Sequence, residues 1–274
     1  MVTVALAGGI TADALWKANF PGMLRGEFTT AILGHDAARP RSMQTELGVS
    51  QVAHPCDRQF AYGTLEAEKC NPGSDRWNAI IGTAVHAHLQ SVMEWANAEL
   101  GRERWLTETP VKPAPWLTGN VDLYDRDHGG TVIDWKVVGA TRLTAYRKEM
   151  SMVYRRQVQL YGLGFSKAGY PVKTVGVMFL PRGGGLDGSY LWTEPYDAEF
   201  ARNIVEHREH IIAMLNDFEV EINPERFGWI PRHATADCRW CPWFSAHPTA
   251  PRHCAGDAPE PPAIAAEDAK ACEK

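Results

Sequence analysis

The alternation of apolar and polar positions divides the chain into segments of different period. Ser74 reads as an N-cap, and from it a long helix runs to about Leu100, with Trp77, Ile80, Ile81, Ala84, His88, Val92 and Trp95 on one stripe at three-to-four-residue spacing. His88 lies on that stripe and reads as a core histidine. The period then shortens. Residues 105–111, 116–124 and 131–138 read as strands, with Asp127-His128-Gly129-Gly130 as a turn. Helices are expected near 141–149 and over 152–168, and strands over 173–181 and 188–194. Asp197 caps a helix to about Phe218. Residues 1–49 read as an N-terminal segment of short helical stretches broken by Gly and Pro. Residues 255–274, rich in Ala, Pro and acids, read as a disordered tail. This order predicts a mixed α/β (α+β) domain with a central sheet flanked by helices.

The strands on either side of the turn place unusual chemistry together. If the hairpin turns around His128 with Arg126 opposite Gly130, Asp122 falls opposite Asp134. Cross-strand neighbours have Cβ atoms roughly 4.5–5.5 Å apart. Asp134 and Lys136 then share one face, while Ile133 and Trp135 point to the other, which can pack on a helix. Opposed like charges destabilise a sheet unless a cation neutralises them. Hard oxygen ligands suit Mg²⁺ or Mn²⁺, and a lysine beside the ion could hold an attacking water, the arrangement of metal-assisted phosphodiester hydrolysis. The same hairpin also reads as an ordinary polar face with a surface ion pair. Glu108, on the preceding strand, lies close to this cluster and is given no role.

Composition narrows the class. With 274 residues, 45% hydrophobic and 22% charged, the chain is neither a disordered polymer, a collagen-like fibre nor a disulfide miniprotein. Its longest apolar run, about Val4 to Ile10, is far short of the roughly 20 residues that span a bilayer. No basic residue precedes Lys17, so no secretory signal is evident and a cytoplasmic location is expected. A net charge of −5 leaves room only for a local nucleic-acid surface. The candidate patch is the stretch carrying Arg142, Arg147, Lys148, Arg155 and Arg156 against Glu149 alone, and it reads equally as a solvated helix face.

Six cysteines remain: Cys56, Cys70, Cys238, Cys241, Cys254 and Cys272. In a reducing compartment they favour metal ligation or free thiols over disulfides. Cys238-Arg239-Trp240-Cys241 alone is open between a redox pair, half a zinc site and part of an iron–sulfur site.

Gly119-x-x-Asp122 followed by Asp134-x-Lys136 resembles the second and third motifs of the PD-(D/E)XK nuclease superfamily. Gly82-Thr83-Ala84-Val85-His86 resembles the G-x-x-x-H motif of its RecB-like branch, and Gln157-x-x-x-Tyr161 that branch's Q-x-x-x-Y motif. The cysteine spacing resembles the branch's iron–sulfur nucleases, the CRISPR-associated exonuclease family (Cas-four) and the AddB-type nucleases. The resemblance covers about residues 50–254. It implies a restriction-endonuclease-like core, divalent ions held by His86, Asp122, Asp134 and the Trp135 carbonyl, and Lys136 as the residue that positions water. It also implies that Gln157 and Tyr161 orient DNA, that the basic stretch neutralises its backbone, and that Cys56, Cys238, Cys241 and Cys254 hold a 4Fe–4S cluster, with Cys272 the fallback fourth ligand and Cys70 a spare thiol. The implied activity is a metal-dependent DNA exonuclease, commonly on single-stranded DNA and often from a 5′ end, in phage or bacterial recombination, repair or CRISPR adaptation. The other class open to the same fold is a non-catalytic DNA-binding or assembly subunit, against which the complete set His86, Asp122, Asp134 and Lys136 argues.

Overall fold

The computed structural model of the protein describes residues 12–38, 47–71, 73, 76–233 and 238–256. Its elements in chain order are α1 (Ala12–Ala38), β1 (Leu47–Gly48), α2 (Val49–Val52), α3 (Asp57–Thr64), α4 (Trp77–Leu100), β2 (Trp105–Ala114), β3 (Leu117–Asp125), β4 (Thr131–Val138), α5 (Ala140–Lys148), α6 (Met152–Lys167), β5 (Thr174–Pro181), β6 (Tyr190–Pro195) and α7 (Ala198–Asp217). Every strand and helix expected between residues 105 and 218 is present. The Asp197 carboxylate caps α7 by accepting the N–H groups of Glu199 and Phe200. The N-terminal segment differs from its reading: α1 is one 27-residue helix that continues through Gly22, Gly26 and Gly34. The Ser74 cap, Cys272 and most of the tail read as disordered lie outside the described residues, and the chain keeps a defined path to Gly256.

The chain forms two compact units. One contains α1 and residues 76–81; the other contains the remaining described residues. The second unit is built on a mixed sheet in the order β1-β3-β4-β5-β6, with β2 also paired to β3. β1–β3 and β4–β5 are parallel; β2–β3, β3–β4 and β5–β6 are antiparallel. One face of the sheet packs on α6 and α7 through Val121, Tyr124, Val132, Val158, Leu160, Val175, Val177 and Phe179. On the other face Leu123, Trp135 and Leu180 meet Val85, Leu89 and Met93 of α4. The apolar side of the β3–β4 hairpin therefore does pack on a helix. A third core joins α3 and the end of α7 to Trp243.

The α4 stripe needs correction. Trp95 is 64% exposed, Trp77 is exposed, and Ala84 and His88 face outward, so His88 is no core histidine. The buried contacts run along Val85, Leu89 and Met93 instead. Both stripes obey helical spacing because α4 carries apolar residues on more than one side, so periodicity alone does not choose between them.

Candidate active site

The β3–β4 ladder pairs Leu123 with Ile133, Tyr124 with Val132 and Asp125 with Thr131, the register expected from the sequence. It ends one step before Asp122 and Asp134. There the Asp122 side chain takes over from the backbone: its Oδ2 accepts the Trp135 N–H at 2.6 Å, and its Oδ1 lies 3.1 Å from His86 Nδ1. The β2–β3 ladder has a gap at the same level, since Thr107–Leu123 and Thr109–Val121 flank an unpaired Glu108. Glu108 has a φ of +44°, a left-handed conformation that costs a non-glycine residue about 1–2 kcal/mol. Both ladders thus open at Asp122, and ligand atoms of His86, Glu108 and Asp122 all lie within 4.8 Å of one another.

Asp134 comes from the next strand and is only 2% exposed. Gln157 Nε2 donates to its Oδ1 at 3.1 Å, while Oδ2 lies 2.6 Å from the Lys136 ammonium. Burial, and then repulsion from Asp122, push the Asp134 carboxyl up to about 6 against the pull of Lys136. Burial works to lower the Lys136 pKa, but the Asp134 carboxylate outweighs it and the ammonium is strengthened. The hydrogen bond to Asp122 raises His86, and burial followed by repulsion from Asp122 raises Glu108. Carboxylates held together out of water beside one imidazole are a donor set that fits a divalent cation, which would offset their mutual repulsion.

Gln157 and Tyr161 lie beneath Asp134, at 4% and 5% exposure. The Gln157 amide nitrogen also reaches the Tyr161 hydroxyl at 3.0 Å and Ser50 Oγ at 3.1 Å. Gly119 is explained by the same contact. A Cβ there would stand 2.8 Å from the Tyr161 ring and 2.9 Å from Val49 Cγ2, so only glycine lets the ring press against β3. The G-x-x-D and Q-x-x-x-Y segments are therefore one packing unit around Asp134.

The basic stretch divides. Arg142, Arg147 and Lys148 are exposed on α5, and Arg147 donates to the Gly188 carbonyl at 2.8 Å. Arg155 is engaged by Glu194, with Nε 2.9 Å and 3.0 Å from its two carboxylate oxygens. Arg156 is half-buried, and burial followed by repulsion from Arg208 lowers its pKa. Arg155 thus belongs to an intramolecular ion pair and Arg156 is partly withdrawn from solvent, whereas the three basic residues of α5 are exposed.

Far along the chain, Cys56, Cys238, Cys241 and Cys254 line one cavity, together with His54, Gln59, Tyr62, Arg232, His233, Phe244 and Gly256. All four are free thiols. Buried arginines fix the Cys56 segment. Arg208 of α7 pairs with Asp57 at 2.5 Å and donates to the Val52 and His54 carbonyls, and Arg58 donates to the Gly228 and Ile230 carbonyls. Cys254 returns to the CxxC turn through Cys254 N–H to Trp243 O at 2.8 Å and Ser245 N–H to Cys254 O at 2.9 Å. Burial, then the neighbouring Cys254, Cys56 and Cys238, push the Cys241 thiol up to about 11. Cys70 stays outside the cavity lining, its thiol donating to the Phe244 carbonyl at 3.5 Å.

Sequence reasoning left Glu108, Ser50, His54 and His233 without roles. Glu108 was reachable through the β2–β3 register, which sets it opposite Asp122; the other three sit on short connecting segments with no period to place them.

No curated protein matches the chain. Among solved structures, the chain is similar to an alkaline exonuclease (LHK-Exo) from Laribacter hongkongensis, at 13% identity over 68% of this chain and 95% of that one, TM-score 0.44. It is similar also to LHK-Exo in complex with dAMP, at 12% identity with the same coverage and TM-score 0.43. The third is the crystal structure of SSO0001, at 17% identity over 68% and 86% of the two chains, TM-score 0.42. The model of the PD-(D/E)XK nuclease superfamily matches residues 109–246, just over half of the sequence, a span that holds Asp122, Asp134, Lys136, Gln157 and Tyr161. The chain belongs to the PD-(D/E)XK nuclease superfamily.

Proposed function

We propose that the chain is a divalent-metal-dependent DNA exonuclease with single-stranded DNA as its favoured substrate. It would act in the cytoplasm of a bacterial cell, its own or a phage host, in recombination, repair or CRISPR adaptation, with residues 50–254 as its nuclease domain. The observation that carries this reading is the convergence of His86, Asp122, Asp134 and Lys136 where two strand ladders open. His86, Asp122, Asp134 and the Trp135 carbonyl, joined by Glu108, would hold one or two Mg²⁺ or Mn²⁺ ions. Such ions, when bound, supply Lewis-acid stabilisation of the charge that develops on the phosphate and the leaving oxygen. Lys136 contributes a fixed ammonium 2.6 Å from Asp134, placed to orient the attacking water by hydrogen bonding. Gln157, backed by Tyr161 and Ser50, fixes the Asp134 carboxylate. Arg142, Arg147 and Lys148 on α5 would neutralise the DNA backbone. Membership of a nuclease superfamily supports this class of substrate.

On the same reading the cysteine cavity would hold a 4Fe–4S cluster on Cys56, Cys238, Cys241 and Cys254. The nuclease reading is tested by incubating purified protein with 5′- and 3′-labelled single- and double-stranded DNA and with closed circles, with and without Mn²⁺. Mn²⁺-dependent release of nucleotides from ends, with circles untouched, is expected. Absence of cleavage on every substrate refutes the reading.

A further inference from the structure

Lys136 touches two groups of different kind. One is the Asp134 carboxylate at 2.6 Å; the other is the ring of Tyr154, whose centroid lies 5.2 Å from the ammonium. The ring belongs to a packed aromatic group. Tyr146 of α5 meets Tyr154 edge-on at 5.5 Å and stacks on Phe179 at 4.9 Å, and Phe179 stacks on Tyr190 of β6 at 6.1 Å. Phe179 is the β5 partner of Lys136 in the parallel ladder, so the group is anchored beside the lysine by the sheet itself.

We propose that Tyr154 is a positioning residue for Lys136, holding the ammonium by its ring face when the Asp134 carboxylate is shared with a cation. The argument rests on the nuclease reading above. Lysine is a flexible four-carbon stem ending in a compact charge, and it loses rotamer entropy when it is fixed. An ion pair with Asp134 alone would fix it in the empty site, but that carboxylate is also a candidate ligand. A divalent ion competes for its oxygens and weakens its hold on the ammonium. An aromatic face attracts an ammonium through its quadrupole and offers no oxygen to the ion. The two anchors are therefore complementary, since the carboxylate holds the lysine in the empty site and the ring holds it in the loaded one.

Three variants of the full chain test this, each assayed for kcat and KM on labelled single-stranded DNA and for Mn²⁺ affinity by calorimetry. The NMR shift of the Lys136 side chain reports ring contact independently of activity. Tyr154→Phe keeps the face; kcat within about twofold of wild type and an unchanged upfield shift are expected. Tyr154→Leu removes it, and kcat should fall about tenfold with KM and Mn²⁺ affinity unchanged and the upfield shift lost. Should Tyr154→Leu fold poorly, phenylalanines of increasing fluorination at position 154 drain the quadrupole at nearly constant shape, and kcat should fall stepwise along the series. Wild-type kcat in folded Tyr154→Leu, or a flat fluorination series, overturns the proposal. A wild type that cleaves nothing overturns the nuclease reading and the catalytic role with it, while an absent ring-current shift on Lys136 overturns the contact itself.

Discussion

In the carboxylate pocket each side chain is aimed by a strand or a helix that would exist without it. Asp122 and Asp134 sit on β3 and β4, Lys136 two residues on, and His86 on α4, and the Trp135 N–H and the Gln157 amide already bind the carboxylates. In the cysteine cavity the thiols come from a four-residue connection before α3 and from a stretch after α7 with only short helical turns. There Cys56 Sγ accepts two backbone N–H groups at 3.5 Å, and burial raises the Cys241 thiol. The first pocket is organised by the fold itself. On the proposed reading the second would be organised in part by what it binds, because a metal that gathers its ligands contributes its binding energy to folding. Damage to the first should remove chemistry and spare stability; damage to the second should do the reverse.

The sharpest break of the first kind is Asp134→Asn. Activity on single-stranded DNA should fall by about 10³-fold or more, since the variant loses a buried charge at the reacting centre. Its thermal midpoint should stay within a few degrees of wild type. A carboxyl whose pKa is raised on folding to about 6 costs stability above that pH, so a neutral amide that still accepts from Gln157 relieves a cost. Scanning calorimetry beside the nuclease assay checks both halves, and a variant that is inactive because it is unfolded would erase the contrast between the pockets.

The second kind of damage is Cys56→Ser. Anaerobically purified wild type should be brown with stoichiometric iron and acid-labile sulfide. The variant should be colourless, and its thermal midpoint lowered by about 2–4 °C for each kcal/mol of binding lost. Removing divalent ions with chelator should abolish cleavage and move the midpoint much less. Cys254→Ser should behave as Cys56→Ser, and Cys272→Ser should retain iron. Colour lost in Cys272→Ser but kept in Cys254→Ser would reassign the fourth ligand.

How much of each pocket could be read in advance follows from the same contrast. The β3–β4 register came from two residue types and one turn, because alternation leaves a hairpin few alternatives once an apolar face must be buried. The ladder's end at Asp122 was not readable: it depends on a carboxylate displacing a backbone partner, and on Glu108 adopting a positive φ inside a strand. The outward face of α4 was misassigned because its two apolar stripes are alike in spacing. Around the cysteines, the family resemblance pointed to the four that line the cavity, with Cys272 kept as a fallback for Cys254, but nothing periodic announced Arg208, the fully buried arginine that ties α7 to the Cys56 segment.

Glu108→Gln sharpens the view of the first pocket. Mn²⁺ affinity should weaken by about tenfold or somewhat more, as for other groups that tune a metal site. The metal-free protein should be no less stable, because burial and Asp122 both oppose the Glu108 charge. Unchanged Mn²⁺ affinity by calorimetry would remove Glu108 from the site and leave its strained φ without a purpose.

The smallest effect is expected at Cys70, and it sets the boundary of the second pocket. Burial is the larger reason that the Cys70 thiol is raised, and the nearby Cys254 adds to it. Its hydrogen bond runs to the Phe244 carbonyl, and the neighbouring Asn71 amide donates to the Arg239 and Cys241 carbonyls. The segment thus clasps the CxxC turn from outside, and a serine hydroxyl can donate to the same carbonyl as well as a thiol does. Cys70→Ser should keep its colour and full iron content and change stability by less than about 1 kcal/mol in denaturant unfolding. Iron below half of the wild-type content in a folded Cys70→Ser protein would mean that the cavity recruits a fifth thiol, and that the clasp is a ligand.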